Sequence, residues 1–181
     1  MRIVAGKFRA KRLTPPIHNI RPTLDKVKQA LFTRLQFEIE GAKVLDLFCG
    51  SGALGIEALS RDAKKVVFCD ADAQSVSLTK KNISGLKLDA GQEVKVYKTD
   101  FLKYLRGAKE QFDLIILDPP YDKDFYVPAL EVIFQNKLLA SDGVIVCERP
   151  RALKITQDFF EVECVKEYGS VALDYLVWRE N

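Results

Sequence analysis

Residues 44–55 read Val44-Leu45-Asp46-Leu47-Phe48-Cys49-Gly50-Ser51-Gly52-Ala53-Leu54-Gly55. The apolar start of this stretch predicts a buried strand, and the glycines that follow fit the pattern G-x-G-x-x-G of a turn into a helix. Glycine at positions 50 and 52 lets the backbone approach a ligand closely, and Gly55 lets the helix pack against the strand. The stretch therefore predicts the strand–turn–helix unit of an α/β fold.

Strands and helices are predicted to alternate on the C-terminal side of this unit. The predicted strands are 43–48, 65–69, 94–97, 112–117 and 144–147, and the predicted helices are 53–61, 73–83, 101–106 and 125–135. This alternation indicates an open parallel sheet with helices on both faces. The last two predicted strands, 160–168 and 171–178, are joined by Gly169-Ser170, a two-residue hairpin signal. We therefore expect an antiparallel pair at one edge of the sheet.

The part of the chain before Gly41 is predicted to contain one short hairpin and one helix. Residues 1–13 alternate loosely and predict a strand or hairpin that turns near Ala5-Gly6. Thr23 is a suitable N-cap, and apolar spacing over 24–37 predicts an amphipathic helix. We expect a single domain over 1–181, in which a basic arm (1–22) and a helical segment (23–40) precede the core (41–181).

Basic residues are concentrated at the start of the chain. Residues 1–34 contain nine Lys or Arg and one acid, whereas the remaining residues contain 19 bases and 24 acids. A basic segment on a mildly acidic body predicts a polyanionic partner that is reached through one end of the protein. The alternative is a solvated surface segment without a partner. The residues that we expect to contact nucleic acid are Lys7, Arg9, Lys11, Arg12 and Arg21.

The composition excludes several classes of protein. No apolar run is long enough to cross a bilayer, and no apolar core of a secretory signal follows the N-terminus, so we expect a cytoplasmic protein without a membrane span. The four cysteines form no C-x-x-C pair, which argues against a disulfide framework. Since His18 is the only histidine, zinc clusters and histidine-based acid–base catalysis are also disfavoured.

Two aspartates near the glycine turn indicate the class of ligand. Asp70 stands at the predicted end of the second strand, at the spacing from Gly50 at which a carboxylate can accept hydrogen bonds from both ribose hydroxyls of an adenosine cofactor. Asp46 could hold the cationic amino group of S-adenosylmethionine, whereas it would repel the pyrophosphate of a dinucleotide. The alternatives are a turn that binds no ligand and, for Asp46, a carboxylate that caps backbone N–H groups.

The tetrad Asp118-Pro119-Pro120-Tyr121 follows the fourth predicted strand. Ligands of open parallel sheets bind beyond the carboxyl ends of the strands, so the tetrad should face the same cavity as the glycine turn. Two prolines fix the backbone and remove two N–H donors, which leaves an acceptor-rich edge beside an aromatic ring. This edge suits a substrate –NH2 group on a planar base. The alternative is a strand that ends at proline before a turn.

The glycine turn and the tetrad together resemble the S-adenosylmethionine-dependent amino-methyltransferases, which methylate exocyclic amines of bases or glutamine side-chain amides. The resemblance narrows to the bacterial RsmD family through segments 21–23, 27–32, 45–60 and 117–121. Members of that family methylate the N2 amine of a guanine in 16S ribosomal RNA. The resemblance covers nearly the whole chain. Two positions depart from it, because Asp70 stands where the family more often has Glu and Cys49 where it often has Ala.

The resemblance implies a Rossmann-like class I methyltransferase fold, with a mainly parallel seven-stranded sheet, a C-terminal antiparallel hairpin and a short basic N-terminal extension. It also implies S-adenosylmethionine as the cofactor. The implied cofactor-binding residues are Thr23, Asp46, Phe48, Gly50, Ser51, Gly52, Asp70, Ala71, Asp100 and Phe101. The implied catalytic residues are Asp118, Pro119, Pro120 and Tyr121. In this scheme Asp70 binds the ribose, Asp100 accepts from the adenine N6, and Phe101 covers the adenine ring, although Asp100 also suits an N-cap.

The function expected from this resemblance is methylation of a guanine N2 in 16S ribosomal RNA, within an assembled or assembling small subunit and without a metal. Adenine-N6 methylation of DNA or RNA and glutamine-N5 methylation of protein remain alternatives. A nicotinamide-dependent oxidoreductase would share the glycine turn and Asp70 but leaves the tetrad unexplained. A non-catalytic RNA-binding module would need neither feature. A cytosine-C5 enzyme would need a nucleophilic cysteine, which the tetrad lacks.

Overall fold

The computed structural model describes residues 1–16 and 24–179, and these ranges contain five helices and seven strands. The helices are α1 (Leu24–Arg34), α2 (Ala53–Ser60), α3 (Ala73–Ser84), α4 (Phe101–Gly107) and α5 (Tyr126–Gln135). The strands are β1 (Lys43–Asp46), β2 (Lys65–Asp70), β3 (Glu93–Lys98), β4 (Phe112–Leu117), β5 (Leu139–Pro150), β6 (Glu161–Tyr168) and β7 (Val171–Val177). Two predicted site residues, Arg21 and Thr23, lie outside the described residues.

The strands of the described ranges form one sheet in the order β3-β2-β1-β4-β5-β7-β6. Strand β1 pairs in parallel with both β2 and β4, so the strand order reverses beside β1. Strand β7 is antiparallel to both β5 and β6, which places the C-terminal hairpin at one edge. The predicted parallel sheet with an antiparallel edge pair is confirmed. The reversal beside β1 is where ligands bind in sheets of this type.

Alternate residues of β1 face two separate hydrophobic cores. Val44 faces the core that contains side chains of α1 and α2, and Leu45 faces the core that contains side chains of α4 and α5. Both side chains are fully buried, because β1 lies in the middle of the sheet with helices on each face.

The first turns of α2 lie very close to β2. A Cβ at Gly55 would stand 2.3 Å from the ring of Phe68 and 2.9 Å from Val66, which is closer than real side chains approach. Only glycine permits this approach without displacing the helix, so the predicted packing role of Gly55 is confirmed. The close contact fixes where α2 begins relative to the carboxyl ends of β1 and β2.

Residues 1–16 pack against the core instead of extending from it as an arm. An isolated antiparallel bridge joins Arg2 to Arg12, and the chain turns over residues 7–10, just after the predicted Ala5-Gly6. The segment therefore forms the predicted hairpin with a single bridge and without regular strands. Its buried apolar side chains are Ile3, Phe8 and Leu13.

Two elements, β5 and α1, differ from their predicted extent by three residues or more at one or both ends, and the other boundaries agree within two residues. Strand β5 spans Leu139–Pro150 instead of 144–147, because Leu139 already pairs with Phe112 and the polar residues after it form an irregularity in the strand. Helix α1 ends at Arg34 instead of residue 37, and the chain continues in turns. The side chain of Leu35 is nevertheless buried, as it would be in a longer helix. Within the described residues, no helix is both long enough and apolar enough to cross a membrane.

Candidate active site

A pocket of about 500 Å³ opens at the carboxyl ends of β1, β2 and β4. It lies at the reversal of strand order, where the sequence predicts a ligand site. Most of the predicted site residues line it together: Asp46, Phe48, Gly50, Ser51, Asp70, Ala71, Asp100, Phe101, Asp118, Pro119 and Pro120. The glycine turn and the first three residues of the tetrad therefore face one cavity, as expected, whereas Tyr121 lines the adjacent surface and not this pocket.

The glycine turn shapes one side of this pocket. Gly50 and Gly52 have φ angles of +53° and +78°, in the left-handed region that favours glycine. A Cβ on Gly50 would meet no atom within 4 Å, so the backbone at Gly50 faces open space that a ligand can fill. Gly52 does not line the pocket. It is the N-cap of α2, and its N–H donates to the carbonyl of Cys49 at 2.6 Å.

Asp70 joins the end of β2 to the glycine turn. Its Oδ2 accepts from the backbone N–H of Gly50 at 2.9 Å, and its Oδ1 accepts from that of Asp72, also at 2.9 Å. These bonds hold the carboxylate in one orientation at the pocket wall. Each oxygen keeps a second lone pair, so the group can still accept from the hydroxyls of a ligand.

Asp46 is a buried carboxylate that lines the pocket and caps a helix. Its Oδ2 accepts from the backbone N–H of Gly55 at 3.0 Å, in the first turn of α2. Burial raises the pKa of Asp46 to about 7, the hydrogen bond from Gly55 opposes this rise, and the charge of Asp70 adds to it. The capping role that the sequence left open is therefore present, and it is compatible with binding a cation.

Three phenylalanines form the apolar part of the pocket. The rings of Phe48 and Phe101 lie 5.2 Å apart, and Phe125 lies 4.8 Å from Phe101 and stacks at 5.9 Å on Phe48. The sequence singled out Phe48 and Phe101 but not Phe125, although an aromatic residue soon after the tetrad was a usable signal. Asp100 beside them caps α4, since its Oδ1 accepts from the backbone N–H of Lys103 at 3.0 Å.

The pocket has an acidic lining. No Lys or Arg of the described residues lines it, whereas five aspartates do: Asp46, Asp70, Asp72, Asp100 and Asp118. A pyrophosphate would be repelled by these carboxylates and would find no basic side chain of the described ranges beside it. A positively charged ligand with a ribose and a planar apolar ring fits the lining.

The tetrad stands at the mouth of this pocket. Pro119 is buried, Asp118 is half-buried, and the exposed Pro120 completes the rim. Tyr121 lines the adjacent surface, and its hydroxyl lies 3.2 Å from Oε1 of Glu148 on β5. Glu148 did not stand out in the sequence, because it is distant from Tyr121 along the chain and only the pairing of β4 with β5 brings the two together.

The predicted nucleic-acid-binding residues have different surroundings. Lys7 forms ion pairs with Asp62, at 3.1 Å, and with Asp89. Desolvation lowers the pKa of Lys7, but hydrogen bonds to the two carboxylates raise it above the ordinary value. The remaining predicted residues of the segment are exposed: Arg9, Lys11 and Arg12. Their charges are exposed at the surface, whereas the ammonium of Lys7 is paired with carboxylates.

Two arginines of β5 and the turn after it have structural contacts. Arg149 is buried and pairs with Asp174 at 2.7 Å, whereas Arg151 is exposed and pairs with Glu167 at 2.7 Å. Arg149 therefore acts inside the fold.

The described residues of the pocket offer neither a reactive thiol nor a metal centre. Cys49 lines the pocket, but burial raises its pKa far above the ordinary value of a thiol, which leaves it protonated and unreactive. Across residues 1–16 and 24–179, no cluster of three or more His, Cys, Asp or Glu side chains is arranged to hold a metal ion. The site therefore offers carboxylates, carbonyls and aromatic rings.

Known proteins are similar to this chain over most of its length. Residues 1–177 match the family model described as Conserved hypothetical protein 95. Ribosomal RNA small subunit methyltransferase D of Haemophilus influenzae is 37% identical over 153 residues, which cover 82% of this chain and 78% of that protein. The solved structure of yhhF from Escherichia coli superposes with a TM-score of 0.84 at 30% identity, over 99% of both chains.

A more distant structure shares the fold. The Thermus thermophilus 16S rRNA N2 G1207 methyltransferase RsmC, solved in complex with AdoMet and guanosine, superposes with a TM-score of 0.70 at 22% identity. The match covers 90% of this chain and 44% of that chain. The family model matches almost the entire length of the chain, and a close relative matches most of it. The chain therefore belongs to the Conserved hypothetical protein 95 family, the RsmD family of methyltransferases.

Proposed function

We propose that the protein transfers a methyl group from S-adenosylmethionine to the exocyclic N2 amine of a guanine in 16S ribosomal RNA. The observation that carries the proposal is the meeting of an acidic cofactor pocket with the edge Asp118-Pro119-Pro120 in one cavity. The acidic lining supports a cationic adenosine cofactor, and the edge supports an amine as acceptor. Membership of the RsmD family supports ribosomal RNA as the substrate.

The residues of the pocket fit the cofactor part by part. Asp46 would face the cationic amino group, Asp70 would accept from the ribose hydroxyls, and Asp100 would accept from the adenine N6. The rings of Phe48 and Phe101, 5.2 Å apart, would cover the adenine, and the open space at the glycine turn would receive the methionine end. When bound, S-adenosylmethionine supplies an electrophilic methyl group on a positively charged sulfur.

The tetrad positions and activates the acceptor. The Asp118 carboxylate and the Pro119 carbonyl accept hydrogen bonds from the –NH2 group of guanine, whose nitrogen lone pair is otherwise delocalised into the ring. Those two bonds favour a more tetrahedral nitrogen and stabilise the positive charge that develops on it. Tyr121 stacks on the base, which is drawn out of its RNA context. The proton leaves the nitrogen to Asp118 or to water.

We also propose that the exposed basic residues of the N-terminal segment bind the RNA. Arg9, Lys11 and Arg12 contact phosphates of the RNA, which positions it without reading its sequence. Lys7 and Arg21, both in the basic stretch 1–22, are the other predicted contacts with RNA, although the ammonium of Lys7 already pairs with carboxylates. We further propose that the protein acts in the cytoplasm on an assembled or assembling small subunit.

The test is methylation of undermethylated small ribosomal subunits with methyl-labelled S-adenosylmethionine, beside free 16S RNA, followed by digestion to nucleosides. Label in N2-methylguanosine is the expected result, and the comparison of the two substrates shows whether assembly is required. Label in N6-methyladenosine or in protein would contradict the proposed acceptor. Thermal stabilisation by NADH instead of S-adenosylmethionine would contradict the proposed cofactor.

A further inference from the structure

Besides the cofactor pocket, the surface has a groove of about 450 Å³ that continues from the mouth of that pocket. The pocket ends at Pro120, and the next residue, Tyr121, lines the groove. One wall comes from the connection between β4 and α5, and the other comes from residues 153–156, which follow β5. We propose that this groove binds a nucleotide that flanks the target guanine in the acceptor RNA. The inference rests on the proposed function and extends it.

The second wall is held in place from inside the protein. The guanidinium of buried Arg149 donates to the carbonyls of Pro150, Arg151 and Leu153, and its Nε pairs with Asp174 at 2.7 Å. Less ordering of this segment is needed when a ligand arrives, because the fold has already fixed the chain that leads into it and the carbonyl of Leu153, its first residue. A preformed wall of this kind is what a binding groove needs.

The floor of the groove is also fixed. Tyr126, the first residue of α5, is buried there and donates its hydroxyl to the backbone carbonyl of Glu148 at 2.6 Å. Val127 and Ile155 lie beside it, and Leu153 remains 38% exposed on the wall. The groove thus offers an apolar surface on which the face of a base can lie.

The rim of the groove carries charge of both signs. Lys123 stands on one wall and Lys154 on the other, while Asp122 and Asp124 stand beside Lys123. Lys123 lies 4.0 Å from Asp122 in an exposed pair, so its ammonium remains accessible to a phosphate. Lysines on opposite rims suit a phosphate on each side of a base, and carboxylates suit the amino groups on base edges. A purely anionic or purely apolar ligand would use only part of this surface.

Covalent continuity favours RNA over a protein segment as the occupant. A guanine whose N2 reaches Asp118 brings its neighbours to the rim of the same pocket, because the sugar–phosphate backbone ties them to it. The groove begins immediately beyond Pro120, so a flanking nucleotide arrives there at high effective concentration. A protein partner would have no such tether to the reacting base.

The experiment compares the wild type with the double variant Lys123→Glu/Lys154→Glu. The matched control is Lys109→Glu/Lys137→Glu, which reverses two exposed charges just before β4 and β5 begin, at the ends of the strands opposite to the groove. Affinity for free 16S RNA and for small subunits is measured against salt, together with KM, kcat and the dissociation constant of S-adenosylmethionine. We expect KM for the RNA to rise about tenfold in the groove variant, and the slope of log affinity against log salt to fall by about 1.4.

The outcomes separate the two proposals. An unchanged KM and an unchanged salt slope in the groove variant, while the wild type still forms N2-methylguanosine, would overturn the groove assignment alone. A loss confined to assembled subunits, with free RNA bound as before, would assign the groove to a ribosomal protein and overturn it too. A wild type that forms no N2-methylguanosine would overturn the proposed function and this inference with it. The expected cofactor affinity is the same in all three proteins.

Discussion

The phenol hydroxyl of Tyr121 lies 3.2 Å from Oε1 of Glu148, so a buried carboxylate of β5 holds the ring at the mouth of the active site. The backbone carbonyl of the same Glu148 accepts from the hydroxyl of Tyr126. One residue thereby fixes two tyrosines, one at the rim of the cofactor pocket and one at the floor of the adjoining groove. We regard Glu148 as a positioning residue for the acceptor base.

Replacement of Glu148 tests that role. Glu148→Ala removes the anchor of the Tyr121 ring, and we expect kcat for RNA methylation to fall by about tenfold to a hundredfold, because small displacements of positioning groups have effects of this size. Glu148→Gln keeps an acceptor oxygen and should retain most of the activity. Affinity for S-adenosylmethionine, measured by calorimetry, should be the same in both variants.

A double-mutant cycle distinguishes positioning from a general loss of structure. Tyr121→Phe keeps the ring but removes the hydroxyl, so its effect should not add to that of Glu148→Ala. Full additivity of the two effects on kcat would mean that the hydrogen bond does not position the ring.

Asp118 is predicted to serve the transfer step and not cofactor binding. Asp118→Ala removes one of the two acceptors for the guanine amine, and kcat should fall by about a hundredfold or more, in line with the loss of one preorganised group at a developing charge. The dissociation constant of S-adenosylmethionine should change by less than about threefold. An active Asp118→Ala enzyme would refute the assignment.

Cofactor affinity is predicted to depend on pH through Asp46. The pKa of Asp46 is raised to about 7, so below that pH the carboxyl is protonated and attracts a cation weakly. Affinity for S-adenosylmethionine should therefore rise with pH by up to about tenfold per unit and level off above pH 7. Calorimetry in buffers of different ionisation enthalpy should show proton release on binding near pH 7. Asp46→Asn should bind weakly and without this dependence.

The same group affects folding stability. Between about pH 4 and pH 7 the folded state holds a proton on Asp46 that the unfolded state has lost, so the free energy of unfolding should fall as pH rises through that window. Asp46→Asn keeps an acceptor for the N–H of Gly55 and carries no charge. It should be more stable than the wild type above pH 7, and its unfolding should lose this part of the pH dependence. Urea titrations at pH 5 and pH 8 measure both effects.

Glu57 is predicted to contribute most of the stability with which residues 1–16 are held against the core. It is fully buried, lies 3.3 Å from the buried ammonium of Lys28, and accepts from the backbone N–H groups of Val4 and Ala5. Glu57→Ala should lower the free energy of unfolding by about 3–5 kcal/mol, because the buried ammonium of Lys28 loses its nearer carboxylate and keeps Asp25 at 3.9 Å. The double variant Glu57→Ala/Lys28→Met should lose less than Glu57→Ala alone. Equal or larger loss in the double variant would argue against the pair.

Exposed bases of the N-terminal segment are predicted to set the salt dependence of RNA binding. Substituting Arg9, Lys11 and Arg12 together by Gln should reduce the slope of log affinity against log salt by about 2. Cofactor affinity should not change, and the same substitution at Lys109 serves as a single-site control. A steep, unaltered slope would exclude these residues from the RNA interface. Deleting residues 1–20 would not isolate the effect, because Ile3 and Phe8 belong to the core.

The order of elements and the position of the pocket could be predicted because they depend on local patterns. The apolar run before the glycines identifies β1, and the spacing from Gly50 identifies Asp70 at the end of β2. Gly55 could be assigned a packing role because the glycine pattern itself implies close approach of helix and strand. Each of these signals is contained in one short, continuous stretch of the chain.

The features that could not be predicted depend on contacts between distant segments. The partners of Lys7 are Asp62 and Asp89, which come much later in the chain, so no local signal showed that surface carboxylates pair with this ammonium. Glu148 and Phe125 reach the site only through the pairing of β4 with β5 and the packing of α5. Glu148 carries no local pattern that marks it as part of a site, and the one signal for Phe125 is that an aromatic residue follows soon after the tetrad.

The contacts of residues 1–16 also bear on the order in which the protein can fold as it is synthesised. These residues are synthesised well before their partners, which come much later in the chain: Glu57, Ser60, Asn82 and Gln92. Asn82 joins Thr14 to Ser51 of the glycine turn through its side-chain amide, so the two segments are tied together only once α3 exists. Residues 1–16 therefore remain undocked until the chain has been synthesised beyond Gln92, and the cofactor pocket, which Pro16 lines, is complete only after they dock.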